Sequence, residues 1–171
     1  MNKKYNIRFA SINDLSLIVE IYNQAIRSKS ATGDMDAFLV EERVEWFHKF
    51  DTDRFPIYVA EINHNIIGYL TLSPYREGRR GMNKIAEISF YLDYSYRGLG
   101  IGSALVSYAI NDCRRIGKET LLAILLDIND KSVSLLKKFN FKKWGHLPDI
   151  INLKGLKCGQ FIYGLSIKKP A

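Results

Sequence analysis

Cysteine is scarce in this chain: 171 residues hold two, Cys113 and Cys158. Two thiols so far apart make no disulfide framework in a domain of this size, and they lack the spacing of a zinc site. Both read as reduced thiols in or near the core. Histidine offers no more, for His48, His64 and His146 show no metal-ligand spacing, and no serine sits in a nucleophile-elbow context. Neither a metal nor an acyl-enzyme is therefore expected. No apolar run approaches the roughly 18 residues of a membrane span, and the opening MNKKYNIRFA lacks the apolar stretch of a secretory signal. The expectation is a cytoplasmic protein with no membrane partner. Repeats, low-complexity tracts and linkers are missing too, so one domain over residues 1–171 is expected.

Acidic residues are outnumbered, 18 Asp and Glu against 25 Lys and Arg, for a formal net charge of +7. That excess favours anionic partners without choosing among them. The basic residues fall in short pairs, Lys3-Lys4, Arg79-Arg80, Arg114-Arg115, Lys137-Lys138 and Lys142-Lys143, as solvated faces do. No basic patch is interleaved with stacking aromatics, so nucleic acid is not an expected partner.

What is present is an ordered series of periodic segments. YNIRFA reads as a strand, and Ser11, Asn13 or Asp14 can cap the helix after it, in which Leu15, Ile18, Tyr22, Ala25 and Ile26 share one face. A second helix is expected over about residues 40–50, with Val40, Val44 and Phe47 on one side. PIYVAEI and IIGYLTLS, parted by Asn63, His64 and Asn65, read as an antiparallel hairpin. IAEISFYLD is the next strand, and a helix over about 101–115 stops at Gly117, a left-handed cap position. TLLAILLD reads as a strand buried on both faces, residues 130–139 as a short helix, and FKKWGHL and GQFIYGLSI as two last strands. The sum is a mixed α/β sheet in one layer with helices packed on it.

Between ISFYLD and the helix at 101 the chain places Gly98, Gly100 and Gly102. Glycine allows close approach of the backbone at a cost of about 0.5–1 kcal/mol against alanine in regular structure. At a strand-to-helix junction the unpaired first-turn amides and the positive end of the helix dipole favour a phosphate or pyrophosphate. Ser103 can add a hydroxyl. A dinucleotide site is one alternative, with Asp127 at the end of the next strand as a ribose-binding acid. The antiparallel strands expected ahead of the turn speak against it. No Gly-Lys-Ser/Thr follows the glycines, so the turn is no P-loop.

R-G-L-G-I-G after ISFYLD resembles motif A of the GNAT superfamily of acetyl-CoA-dependent N-acyltransferases. IYNQAI, EERVEWF, AEISFYL, DINDKSVSLLKKFNF and WGHLPDIINLKGLKCGQF resemble the phosphinothricin/methionine-sulfone acetyltransferase family in the same order, over nearly the whole chain. The resemblance implies the GNAT variety of α/β (α+β) fold, a mixed and mostly antiparallel central sheet with splayed middle strands and flanking helices. It also implies acetyl-CoA as cosubstrate, direct transfer to a primary amine on a small amino-acid-like molecule, and a homodimer. Protein N-termini or lysines as acceptors, or a CoA-binding protein that has lost catalysis, are the alternatives.

The same resemblance implies site residues. The CoA pyrophosphate would lie on Arg97 and the amides of Gly98, Leu99, Gly100, Ile101, Gly102 and Ser103. The pantetheine arm would pair with the backbone of Phe90, Tyr91 and Leu92. Asn129 and Lys138 would meet the rest of the cofactor. Glu87 would be the general base, Leu92 would offer its amide to the developing oxyanion through a strand bulge, and Tyr75, Arg76, Glu87, Ile88 and Ser89 would face the acceptor. Glu87 suits the chemistry, because an amine must lose a proton to attack a thioester and a desolvated carboxylate can take it. Strict alternation puts it on one strand face with Ile85, Ser89 and Tyr91. Arg76 could fork onto a substrate carboxylate. The chain departs from the family at Leu136, where a tyrosine or histidine would protonate the departing thiolate; a thiolate leaves readily near neutral pH without help.

Overall fold

Tight turns and short crossovers lay the strands side by side in nearly their chain order. The computed structural model describes residues 5–167; the Lys3-Lys4 pair lies outside them. The strands are β1 (Asn6–Phe9), β2 (Ile57–Ile62), β3 (Asn65–Pro74), β4 (Ile85–Leu92), β5 (Thr120–Leu126), β6 (Lys142–Leu153) and β7 (Leu156–Ser166). They form one seven-stranded sheet in the order β1-β2-β3-β4-β5-β7-β6. Only β4 and β5 run parallel; the other neighbours are antiparallel. The crossover between the parallel pair is α3 (Ile101–Asp112), and a helix is the usual means of making one.

Helices α1 (Leu15–Ser28) and α2 (Val44–His48) cover one face of the sheet, and α3 with α4 (Asp130–Lys138) covers the other. On the first face Ile18 and Ile21 of α1 meet Ile57, Val59, Ile66 and Tyr69. On the second, Ile101, Leu105, Val106 and Ala109 of α3 meet Tyr58, Leu70, Leu72, Ala86 and Ile88. Each fully buried aliphatic side chain there contributes about 1.5–3 kcal/mol. The chain enters α1 through Arg8, whose guanidinium forks onto Asp14 at 2.7 and 2.9 Å, while the Ser11 N–H donates to the same carboxylate at 2.7 Å. Cys113 and Cys158 are free and buried, and burial pushes the Cys113 thiol up to about 12.

Two expectations change. The second helix is shorter than residues 40–50, a 3-10 turn at Glu41–Arg43 leading into α2. Val44 is exposed, whereas Phe47 packs on the core as expected and is joined there by Trp46 and Phe50. Aromatic area at those positions outweighs the valine stripe. The final hairpin is longer than FKKWGHL and GQFIYGLSI, because Lys154 (φ 52°) and Gly155 (φ 99°) form a two-residue turn between Leu153 and Leu156. Positive φ at both residues matches the twist of the flanking strands. The register slips between Leu147 and Ile151, where Pro148 has no N–H to give the ladder.

Candidate active site

Pairing between β4 and β5 holds for three steps, Ile85↔Thr120, Ala86↔Leu121 and Glu87↔Leu122, and then stops. β4 continues against β3 without a register shift to Gly68↔Leu92, and β5 continues against β7 to Leu126↔Gln160. The two middle strands therefore part in a V whose vertex is Glu87. The hydrogen-bond parity of β4 follows from two contacts. Asp93 N–H donates to Ile67 C=O on the β3 side, and Lys84 C=O accepts from Thr120 N–H on the β5 side. Odd-numbered residues of β4 thus bond β3, while the N–H and C=O groups of Ile88, Phe90 and Leu92 point across the V, where β5 has moved away. Leu92 exposes its amide by this splay, with no bulge in the strand. The main chain of Tyr91 faces Tyr69 of β3.

The V opens into a cleft of about 670 Å³ walled by Ile88 to Leu92, Tyr94, Arg97, Gly98, Ala123 to Leu125, Leu135 and Leu136, with Asn129 to Ser132 at the start of α4. At its end the glycine turn begins. Gly98 and Gly100 both sit at φ +79°, and a Cβ on either would meet nothing within 4 Å. Their requirement is conformational, since an L-residue there costs about 1–2 kcal/mol. Gly102 serves packing instead, as its Cβ would lie 3.0 Å from Leu135 and 3.4 Å from Leu92. The first bond inside α3 is Ala104 N–H to Gly100 C=O, which leaves the amides of Ile101, Gly102 and Ser103 without intrahelical partners. Lys138 reaches across from α4 to Ser103 Oγ at 3.2 Å, adding positive charge beside those amides. Open amides, positive-φ glycines, a lysine and an adjoining cleft suit a phosphate-ended molecule with a long arm.

Glu87 lies on the other face. Alternation sends Glu87, Ser89 and Tyr91 toward α1 and α2, where Tyr91 meets Tyr22 edge-on at 4.9 Å and lies 5.4 Å from Tyr69. Burial pushes the Glu87 carboxyl above the ordinary range, with no bond or charge opposing it. An unpaired, half-buried carboxylate at the vertex has the chemistry to accept a proton. Residues 29–39 close over this face: Asn23 exchanges hydrogen bonds with the Phe38 main chain at 2.9 and 2.9 Å. The Tyr22 hydroxyl donates to Asp34, and Asp36 pairs with Lys154 in the β6–β7 turn at 3.2 Å. Tyr75 and Arg76 lie outside the cleft wall, at the start of the segment joining β3 to β4, with Arg76 exposed at φ 54°.

Leu136 is fully buried and lines the cleft, so it offers no proton to a leaving group. Asn129 lines the cleft and caps α4, its Oδ1 accepting from Ser132 N–H at 3.2 Å. β4-α3-β5 is a βαβ unit, the context a dinucleotide fingerprint needs, but Asp127 is engaged elsewhere. It bonds His146 Nε2 at 2.9 Å and the Gly159 N–H at 2.9 Å, which hold it below the usual carboxylate range. Sequence reasoning missed Tyr94, Ala25, Ser30 and Ala31 in the wall. Tyr94 stands between ISFYLD and the glycines and could have been noticed by position; the others carry no signal.

A family model described as acetyltransferase (GNAT) family matches residues 18–141. The chain is 35% identical to a Bacillus subtilis (strain 168) protein named "Putative phosphinothricin acetyltransferase YwnH", over 92% of this chain and 96% of that one. It is 28% identical to an L-methionine sulfoximine/L-methionine sulfone acetyltransferase of Salmonella typhimurium, over 91% of this chain and 88% of that protein. Among solved structures, yncA of Salmonella typhimurium with its cofactor acetyl-CoA superposes with a TM-score of 0.89 at 26% identity, covering 98% of this chain and 96% of that one. The match of the family model over most of the chain shows that it belongs to the GNAT family of acetyltransferases.

Proposed function

We propose that this acetyltransferase uses acetyl-CoA and moves the acetyl group directly to the primary amine of a small amino-acid-like molecule, of the methionine sulfone or phosphinothricin type. The observation that carries the reading is the V between β4 and β5, which joins an anion cradle on one face to a lone carboxylate on the other. The relatives' names support the acceptor class. The closure of residues 29–39 over the Glu87 face, tied to the β6–β7 turn, supports a small acceptor over a protein terminus, which needs an open groove.

When bound, acetyl-CoA supplies a thioester for the amine to attack. The amides of residues 98–103 hold its diphosphate, with Arg97 and Lys138 adding charge. The open amides of Phe90 and Leu92 hold the arm and the thioester oxygen, and Leu92 N–H stabilises negative charge as it builds there. Asn129 supports the wall opposite. On the other face Glu87, directly or through a water, takes the amine proton, and Ser89, Tyr75 and Arg76 border the acceptor, Arg76 toward its carboxylate; the Ile88 side chain packs under α3 on the opposite face, so it does not border the acceptor as expected. With Leu136 in the wall, the thiolate leaves without a side-chain acid. A single catalytic domain, a homodimer and a cytoplasmic location complete the reading. Release of free CoA thiol across a panel of amines tests it: methionine sulfone should turn over well above peptides with free N-termini. Turnover of peptides alone would replace the acceptor, and no turnover with any amine would leave a CoA-binding protein.

A further inference from the structure

The hydroxyl of Tyr94 has no role in that reaction, yet it is the one buried side-chain polar atom without a hydrogen-bond partner among the described residues. A hydroxyl sealed from water and left unpaired loses its hydration with no compensation. Tyr94 is one of the residues lining the cleft. Its surroundings are well defined. The Tyr94 N–H donates to Gln24 Oε1 of α1 at 2.9 Å, and the Arg97 guanidinium lies over its ring, 3.2 Å from the centroid. Along the chain Tyr94 stands between Leu92, the last β4 residue with its backbone open to the cleft, and Gly98, the first glycine of the turn. It therefore flanks the stretch between the thioester end and the phosphate end of a molecule lying in the V.

Resting on the acetyl-CoA reading above, we propose that Tyr94 is a cofactor-binding residue, its hydroxyl bonding an amide or hydroxyl of the pantetheine arm once the side chain turns out of its sealed position into the cleft. The free protein then holds an unpaired polar group that the bound one satisfies. Tyr94→Phe should act in opposite directions on the two states, because it deletes the orphan from the free protein and the hydrogen bond from the complex.

Calorimetric titration of wild type and Tyr94→Phe with acetyl-CoA, and with adenosine 3′,5′-bisphosphate, which lacks the arm, tests this directly. The variant should bind acetyl-CoA about 5- to 30-fold more weakly and the nucleotide within about twofold of wild type, while its ligand-free melting temperature rises. Equal acetyl-CoA affinities in the two proteins overturn the proposal, as does a lower ligand-free melting temperature, which would mean the hydroxyl already had a partner. Equal losses for both ligands overturn it too, tracing the effect to the phosphate end through Arg97. Wild type with no affinity for acetyl-CoA would remove the acetyl-CoA reading and this proposal with it; normal wild-type affinity matched by the variant would remove only the proposal.

Discussion

The two sides of the V are made of different material. On the α3 side the proposed anion cradle consists of main-chain amides fixed by two positive-φ glycines and the start of a helix. On the α1 side the face proposed for the acceptor consists of side chains, Glu87 and Tyr91 on the strand, Tyr22 and Asn23 on α1, and residues 29–39 held to them. Main-chain geometry changes only when a backbone conformation becomes unavailable, whereas a side-chain site changes with any single residue. The cofactor half of such a protein can stay constant while the acceptor half is rewritten, and substitutions on the two sides should separate cofactor affinity from turnover.

The sharpest separation should come from Glu87→Gln, which removes the proton acceptor and keeps the shape; losing a general base lowers kcat about 10²–10⁴-fold. Because burial raises the Glu87 carboxyl, wild-type kcat should already fall at a pH above the ordinary carboxylate range, and that acid limb should vanish in the variant. Stability runs the other way. A carboxyl raised in the folded state binds its proton more tightly there, so its contribution is present at low pH and is lost as pH rises through the raised value. Glu87→Gln should therefore raise the melting temperature at neutral pH and not below the ordinary carboxylate range. A variant less stable at pH 7, with the acid limb intact, would take Glu87 out of the chemistry.

Next in size, Gly100→Ala should lower stability by about 1–2 kcal/mol through backbone strain and raise KM for acetyl-CoA about tenfold or more as the amides swing away, with the acceptor KM nearly unchanged. Gly100→Val should be worse in the same direction, since β-branching adds to the strain. Steady-state kinetics with each substrate varied in turn reads both, and a shift in the acceptor KM alone would break the division between the two sides.

Arg76→Ala should act only on the acceptor. Because Arg76 is exposed, the loss should be that of a solvent-screened pair, at most about 1 kcal/mol or a roughly fivefold rise in KM for a carboxylate-bearing amine. The decarboxylated amine should be unaffected and Arg76→Lys should recover part of the loss. Equal losses on both amines would make the residue a support for its loop. Smallest of all, Lys138→Met should weaken acetyl-CoA binding about two- to fivefold and flatten its salt dependence, as removal of one exposed cation near an anion does.

The sequence read the main-chain half better than the side-chain half. Three glycines at a strand-to-helix junction mark the turn and the start of α3 that the structure has there, and the alternation of IAEISFYL puts Glu87 beside Ser89 and Tyr91. The parting of β4 and β5 came only with the family resemblance, because Leu92 and Leu125 look the same paired or unpaired. Ala123, Ile124 and Leu125 continue the apolar run past the point where pairing with β4 ends, so periodicity holds no mark of the vertex. Residues 29–39 are set by bonds such as Asn23 to Phe38, which span a long stretch of chain with no repeating pattern to betray them. The Lys154-Gly155 turn carries little signal, since its first residue is not one of the usual positive-φ formers, and Val40 and Val44 suggest a face that Trp46 and Phe50 supply instead.

The division between a main-chain cofactor half and a side-chain catalytic half is tested most directly by measuring acetyl-CoA affinity and thiol release on one preparation of Glu87→Gln. The account predicts a dissociation constant within about twofold of wild type together with turnover reduced at least a hundredfold. A variant that loses affinity in step with turnover, or that turns over at the wild-type rate, would contradict it.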